Sequence, residues 1–391
     1  MGADLGSEFN QSNDGSRLTT DMVLDDATVT ALQGLGISRR RFMSYCAGLA
    51  SLMALPQAMV PRLAQAALSP AKPSVVYMSF QECTGCLESL VNSFAFQGGT
   101  TINNLILNLI SLDYQETLMA AAGAQAEGLL KTLTSKTGYV LIVDGSIPSR
   151  WDSGYFVSGE RSGVARFRDA AKKAGLIIAV GTCASFGGLP KADPNPTGAV
   201  SIGTLMTQLK ISKPLINISG CPPIPEVITG TILYYLASGM PELDKLRRPK
   251  VFYGETVHED CYREECFEDG PYVQAFDDNA SRKGGCLYWI GCKGPVTYNA
   301  CSTIRWNQGT SNPIMAGHGC IGCSEPDFWD RVNLNNQKGF YVPIADEPYD
   351  GHGGSQPCSN CHDDDDDDDD EPYDGHGGRQ PCSNCHDDDD D

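Results

Sequence analysis

Between His258 and Cys323, 66 residues carry seven cysteines (Cys261, Cys266, Cys286, Cys292, Cys301, Cys320 and Cys323) and two histidines, His258 and His318. Packing alone does not call for so many thiols among small, turn-forming residues. Soft ligands at this density point to disulfides, zinc or iron–sulfur clusters. Four further cysteines lie upstream: Cys83 and Cys86 in Glu82-Cys83-Thr84-Gly85-Cys86, Cys183 in Gly181-Thr182-Cys183, and Cys221 in Gly220-Cys221-Pro222-Pro223. The C-x-x-C pair alone fits a redox dithiol, and four thiolates together fit tetrahedral zinc or a [4Fe–4S] cluster. Glycine-flanked cysteines and the Gly-Cys-Pro-Pro turn leave backbone N–H groups free to donate to sulfides, which favours the cluster.

The elements that must position these four cysteines are legible in the apolar pattern. Strands are predicted at 74–80, 105–112, 139–143, 176–180 and 214–218, with helical patterns at 87–94, 117–133, 163–174, 199–209 and 227–237. Buried strands alternating with helices specify an α/β fold with a doubly wound, mostly parallel sheet. Cys83 and Cys86 follow the first strand, Cys183 the fourth and Cys221 the fifth. In open α/β sheets ligands collect beyond the carboxyl ends of the strands, so residues distant in sequence can converge on one site. Beyond Leu243 the periodicity fades and turns dominate through Phe340. Metal ligands are the natural means of holding such a region together.

The chain has 391 residues, 16 cysteines and a formal charge of -20. Residues 347–391 carry -16 of that charge, leaving -4 for the rest, so no basic surface for nucleic acid is expected. The first 37 residues are polar and read as a flexible leader. Ser38-Arg39-Arg40-Arg41-Phe42-Met43, an apolar stretch over 45–60 broken by Pro56, and Ala64-Gln65-Ala66 make an export signal with its cleavage site. The paired arginines resemble the twin-arginine signal, which carries proteins folded into the bacterial periplasm. A chain exported folded can receive a metal cofactor in the reducing cytoplasm first, so its cysteines need not become disulfides.

From Lys72 to about Trp329 the sequence resembles the small subunit of the [NiFe] hydrogenases. The resemblance rests on Glu-Cys-Thr-Gly-Cys at 82–86, Asp144-Gly145-Ser146-Ile147-Pro148, Gly-Thr-Cys-Ala at 181–184, Asn195-Pro196-Thr197-Gly198-Ala199, Gly-Cys-Pro-Pro at 220–223 and the cysteine-rich stretch. It implies a flavodoxin-like doubly wound domain over 67–243, then an irregular domain over 244–340 stabilised by iron–sulfur clusters. It also implies a proximal [4Fe–4S] on Cys83, Cys86, Cys183 and Cys221. A distal [4Fe–4S] would be held by His258, Cys261, Cys286 and Cys292, and a medial [3Fe–4S] by Cys301, Cys320 and Cys323. Pro313 occupies the family position where a fourth medial cysteine would complete a cubane. A cluster with one thiolate fewer, or with a neutral imidazole ligand, should have a higher potential.

The resemblance further implies a large-subunit partner holding the Ni–Fe centre, and electrons passing from H2 oxidation through three clusters to a cytochrome or quinone-linked acceptor. This chain supplies no nickel ligand. Glu82 abuts the proximal ligands and would serve a proton path or the partner interface, against the plainer reading of a solvated or capping glutamate. Cys266 matches no family ligand and is expected to be a small free thiol, and His318 to hydrogen-bond within the medial loop. Gly85 and Gly188 stand where oxygen-tolerant members carry extra cysteines, which points to the standard oxygen-sensitive type.

The leader, 1–66, and an acidic tail, 341–391, flank these domains. The tail repeats Glu347 to His362 and the following aspartates from Glu371, with Arg379 in place of Ser355. Its composition predicts disorder. Each copy holds Cys-Ser-Asn-Cys-His, at 358–362 and 382–386, matching the c-type haem attachment signature. His352 and His376 are the available axial ligands, but no folded pocket is expected around either copy, so loose metal binding or an inert tail is preferred to haem. The apolar stretch of the signal is too short for a membrane span, leaving any membrane association indirect. A stand-alone iron–sulfur carrier and a zinc- or disulfide-stabilised secreted binding protein are the alternative functions.

Overall fold

The computed structural model describes residues 72–92, 110–150, 154–307, 309–330 and 337–345, with single positions at 43, 46, 47, 50, 60, 62, 64, 333 and 348. Most of the export signal, the tail with its two Cys-Ser-Asn-Cys-His segments, and the first part of the strand predicted at 105–112 lie outside the described residues.

Five strands form one parallel sheet: β1 (Ser74–Ser79), β2 (Ser111–Tyr114), β3 (Val140–Asp144), β4 (Leu176–Val180) and β5 (Leu215–Ile218). Their order is β2-β1-β3-β4-β5, the flavodoxin-like arrangement of a doubly wound sheet. Every residue of β3, β4 and β5 is buried. Strands covered on both faces read as continuous apolar runs, which is why Val-Leu-Ile-Val and Leu-Ile-Ile-Ala-Val lack alternation.

Side chains of alternate strand residues enter two cores. Tyr77, Ile142, Ile178 and Ile216 meet Leu87 and Leu90 of α1 (Gly85–Asn92) and Val227, Ile228 and Ile232 of α6 (Pro225–Ser238). Met78, Leu141, Val143 and Ile177 meet Leu130 of α2 (Gly123–Ser135), Phe167 of α3 (Gly163–Ala171) and Leu205 of α5 (Ile202–Gln208). Cys46, Ala50, Val60 and Ala64, isolated described positions of the leader, are buried in the first core. Ser162 and Ser201 accept from Ala165 N–H and Thr204 N–H and so cap α3 and α5. The pattern over 117–133 becomes helical only at Gly123. Before it, the Gln115 side chain accepts from the N–H groups of Thr117 and Leu118 at 2.6 and 2.7 Å and holds a turn.

The register matters most for function. Ser79 pairs with Asp144, Asp144 with Val180, and Val180 with Ile218, so the carboxyl ends of β1, β3, β4 and β5 stop at one level. A short helix not foreseen from the sequence, α4 (Gly181–Phe186), starts directly at the end of β4 and carries Cys183.

After residue 243 regular structure among the described residues is confined to helices of four or five residues, two 3-10 turns and isolated bridges. Two small apolar clusters form there, one around Val257, Val273 and Leu287 and one around Phe267, Tyr288 and Ile344, while Phe252, Tyr253 and Ala300 pack into the first core of the sheet domain. This part is joined to the sheet by that packing and by polar contacts. Lys191 bonds Asp327 at 3.0 Å and Asn217 Nδ2 donates to Leu246 O at 2.8 Å, while within the part the buried Arg248 bonds Asp244 at 2.7 Å and Glu325 at 2.8 Å.

Candidate functional site

The aligned strand ends bring Cys83, Cys86, Cys183 and Cys221 together. Cys86 lies in the first turn of α1 and is buried, whereas Cys83 is exposed in the loop before it. Burial pushes the Cys86 thiol far up, and Asp144, Cys183 and Cys221 push it further. Burial also raises Cys183, to about 12, with Cys221 and Asp144 adding to it. Cys221 is raised by burial and then by Cys83 and Asp144. The mutual effects of these thiols place all four in one small volume. Cys86, Cys183 and Cys221 would stay protonated there at neutral pH without a compensating cation, the condition a metal centre meets.

Glycines let the backbone close on this volume. A Cβ on Gly181, at φ +85°, would lie 2.4 Å from Cys86 Sγ, and one on Gly188, at φ +61°, 2.4 Å from Cys183 Sγ. Gly85 leaves 3.4 Å to Cys83 Sγ. The Leu189 N–H donates to Cys183.

Glu82 accepts from the N–H of Thr84 in its own loop, and burial raises its carboxyl pKa. Asp144, at the end of β3, lies beneath the same volume. Its Oδ2 accepts from the Tyr77 hydroxyl at 3.0 Å, and burial followed by the charge of Glu82 raises its carboxyl to about 7. Oδ1 lacks a partner of normal hydrogen-bond geometry, although the Cys86 thiol is near enough to favour the carboxylate.

A second group surrounds a small pocket lined by His258, Cys261, Cys286 and Cys292 together with Phe267 and Tyr288. The His258 ring packs edge-on against Phe267, with centroids 4.4 Å apart. Burial raises Cys261 to about 11 and Cys286 to about 12. Backbone N–H groups of Arg263, Tyr288 and Gly294 donate to Cys261, Cys286 and Cys292 respectively. The buried Arg263 guanidinium favours thiolates here while donating to Gly285 O and, at 3.2 Å, to Ile314 O.

Cys301, Cys320 and Cys323 form the third group. Burial raises Cys301 and Cys323 to about 12 each, with Cys320 adding to the first and Cys301 to the second. The Trp306 indole donates to the Cys301 sulfur, and Asn312 Nδ2 donates to Cys301 O at 3.0 Å. The third group touches both others. The Cys221 backbone lies beside Cys323, and the Cys320 N–H donates to Cys292 Sγ at 3.3 Å.

His318 donates from Nδ1 to Gly319 O at 2.8 Å and stacks beside Phe276, as a loop-bracing residue would. Cys266 differs from expectation. It is fully buried and disulfide-bonded, not a free thiol. A free sulfhydryl is the default for a small buried cysteine outside the ligand pattern, and sequence spacing carries no sign of its pairing.

The donor sets fit iron–sulfur clusters better than zinc. Zinc draws its thiolates to about 2.3 Å from one point, and among the described residues no three His, Cys, Asp or Glu side chains are arranged to hold a single ion. Eleven described cysteines are free, so disulfides do not account for them either.

Residues 253–335 match the family model for the C-terminal part of the NiFe/NiFeSe hydrogenase small subunit, and residues 83–235 match that for the NADH ubiquinone oxidoreductase 20 kDa subunit. The uptake hydrogenase small subunit of Azotobacter vinelandii is 47% identical over 299 residues, spanning 76% of this chain and 81% of that protein. The hydrogenase-1 small chain of Citrobacter freundii is 45% identical over 321 residues, spanning 81% and 82%. This chain belongs to the [NiFe] hydrogenase small-subunit family. The reduced, active Ni-Fe-Se hydrogenase of Desulfomicrobium baculatum superposes with a TM-score of 0.62 at 33% identity, covering 70% of this chain and 99% of that one.

The complex formed by a hydrogenase small subunit is a hydrogenase, and the family carries iron–sulfur clusters, with the Ni–Fe centre in the partner. Against that background the residues missed from sequence become intelligible. Asp144 is visible there only as part of a motif, and its strand-end position is its one distinguishing sign. Arg263 and Arg248 look like surface charges, because burial of an arginine in an aperiodic region leaves no pattern. Among the described residues no helix is long and apolar enough to cross a membrane.

Proposed function

We propose that this chain is the electron-relay subunit of a periplasmic, heterodimeric uptake hydrogenase, reached by twin-arginine export. Cys83, Cys86, Cys183 and Cys221 would hold a proximal [4Fe–4S], Cys301, Cys320 and Cys323 a medial [3Fe–4S], and His258, Cys261, Cys286 and Cys292 a distal [4Fe–4S]. When bound, the clusters supply one-electron oxidation and reduction steps.

The observation that carries this reading is the serial contact of the three ligand groups: Cys221 to Cys323, then Cys320 to Cys292. The chain's own residues fix that order. The ends of β1, β4 and β5 present the proximal group, while the loops anchored by Arg248 and Asn312 hold the medial one. Arg263 and the aromatic wall of Phe267 and Tyr288 frame the distal one. His258, at the far end of the series, would face a cytochrome or other redox acceptor. At the near end, exposed Cys83 and the exposed side chain of Leu189 mark the face for the large subunit. A stand-alone carrier has no use for such a face. Glu82, folded onto its own loop, would line that interface. Gly85 and Gly188 support a standard oxygen-sensitive proximal site, since neither position beside Cys83 and Cys183 supplies an extra thiol.

Anaerobic iron and acid-labile sulfide analysis of the purified heterodimer tests the proposal. About eleven irons per small subunit is the expected result. One or two zinc ions with no sulfide would overturn it.

A further inference from the structure

The Thr182 side chain joins all the segments that carry the proximal and medial ligands nearest each other. Thr182 is 1% exposed, between Gly181 and Cys183 at the start of α4. Its hydroxyl donates to Cys323 O and accepts from the Gly220 N–H at 2.9 Å. Its own N–H donates back to Gly220 O at 2.9 Å. Gly220 precedes Cys221, so one threonine holds the turn bearing Cys183, the turn bearing Cys221 and the loop ending in Cys323.

Beside this clasp the Cys221 backbone lies next to Cys323. That contact spans 102 residues of sequence, from the end of β5 to the last cysteine of the irregular region. Tyr253, buried in the first core, donates to Ser219 O at 2.7 Å beside the same turn, which reads Gly-Cys-Pro-Pro, opposite the loop Gly-Cys-Ile-Gly-Cys-Ser. The buried Thr182 hydroxyl both donates and accepts, and so satisfies a carbonyl on one segment and an N–H on another. Valine has the same shape and can do neither.

We infer that Thr182 is a positioning residue that fixes the separation and orientation of the proximal and medial clusters, and through them the electronic coupling across the first step of the relay. The inference rests on the cluster assignment proposed above. It concerns spacing, not ligation: Thr182 contacts the backbone of Cys323 and the residue before Cys221, and supplies no metal ligand.

The test uses the heterodimer with Thr182→Val, Thr182→Ala and Thr182→Ser. In the fully reduced complex two neighbouring paramagnetic clusters broaden each other's EPR signals, with a strength that falls steeply with separation. The valine and alanine variants should keep wild-type iron content and weaken that broadening, and serine, which restores the hydroxyl, should return it. If only serine permits assembly, the hydroxyl's positioning role is supported as well. Wild-type broadening in the valine or alanine variant, or equal loss in the serine variant, overturns the inference. Absence of a [3Fe–4S] signal from the unmodified complex would instead defeat the cluster assignment, so the two failures are told apart.

Discussion

The N–H of Cys320 donates to the Sγ of Cys292 at 3.3 Å, joining two loops that lie 28 residues apart in sequence. Gly319 makes the approach possible, since a Cβ at that position would lie 2.9 Å from Cys292 Cα. The Lys293 N–H returns a bond to Cys320 O at 2.6 Å, so the two ligand segments are paired in both directions. The medial and distal groups are thereby held as one unit by backbone geometry, without a regular sheet or helix between them.

The glycines around the proximal thiols have no room for a side chain. Gly181→Ala or Gly188→Ala would put a methyl 2.4 Å from a cysteine sulfur at a positive φ. Each substitution is expected to remove about four irons from the complex while leaving the medial and distal signals in place. Iron analysis combined with EPR reads this outcome, and full iron content in both variants would contradict the cradle described for this site.

Arg263 is the cation of the distal site. Arg263→Met leaves the carbonyl of Gly285 without the Arg263 donor, costing roughly 1–3 kcal/mol, while Ile314 O keeps the Tyr262 hydroxyl at 3.1 Å. It also removes a positive charge that favours the thiolate of Cys261 and, less directly, those of Cys286 and Cys292. The distal midpoint potential should fall, and a redox titration followed by EPR would show whether it does.

Arg248 ties the segment that follows α6 to the cluster loop after Cys323. Its partners Asp244 and Glu325 are themselves mostly buried, and Glu325 also accepts from the Tyr298 N–H at 2.7 Å. Arg248→Met strands both carboxylates and is expected to destabilise the fold by about 3–5 kcal/mol. Denaturant unfolding of the complex measures this, and Arg248→Met/Glu325→Gln should recover part of the loss.

Glu116 gives the fold a pH dependence separate from the clusters. Burial raises its carboxyl pKa, against bonds from its own backbone and the Ser79 N–H. A carboxyl raised in the folded state contributes stability that is complete below the unfolded value and declines as pH rises through the folded value. Glu116→Gln should therefore gain stability relative to wild type as pH increases across that window. Parallel wild-type and variant curves would show that Glu116 does not titrate as described.

How much of this is legible in the sequence follows from periodicity. β3, β4 and β5 are found within a residue or so because strands buried on both faces are unbroken apolar runs. Their aligned ends make the convergence of Cys83, Cys86, Cys183 and Cys221 foreseeable. The three-way division of ligands comes from family spacing, since turns around Cys286 or Cys320 carry no period to read. Asp144, Arg263, Arg248 and Thr182 stay hidden for a common reason: their roles depend on bonds between segments far apart in sequence. Cys266 escapes a sequence reading on the same ground, because a disulfide partner is a matter of tertiary placement.

The central claim is that three ligand groups in series hold two cubane clusters around one trinuclear cluster, and EPR of the air-oxidised heterodimer tests it most directly. A [3Fe–4S] signal that disappears on reduction, accompanied by signals of reduced [4Fe–4S] clusters, is the expected result. An oxidised complex without that signal, at full iron and sulfide content, would contradict the assignment of Cys301, Cys320 and Cys323.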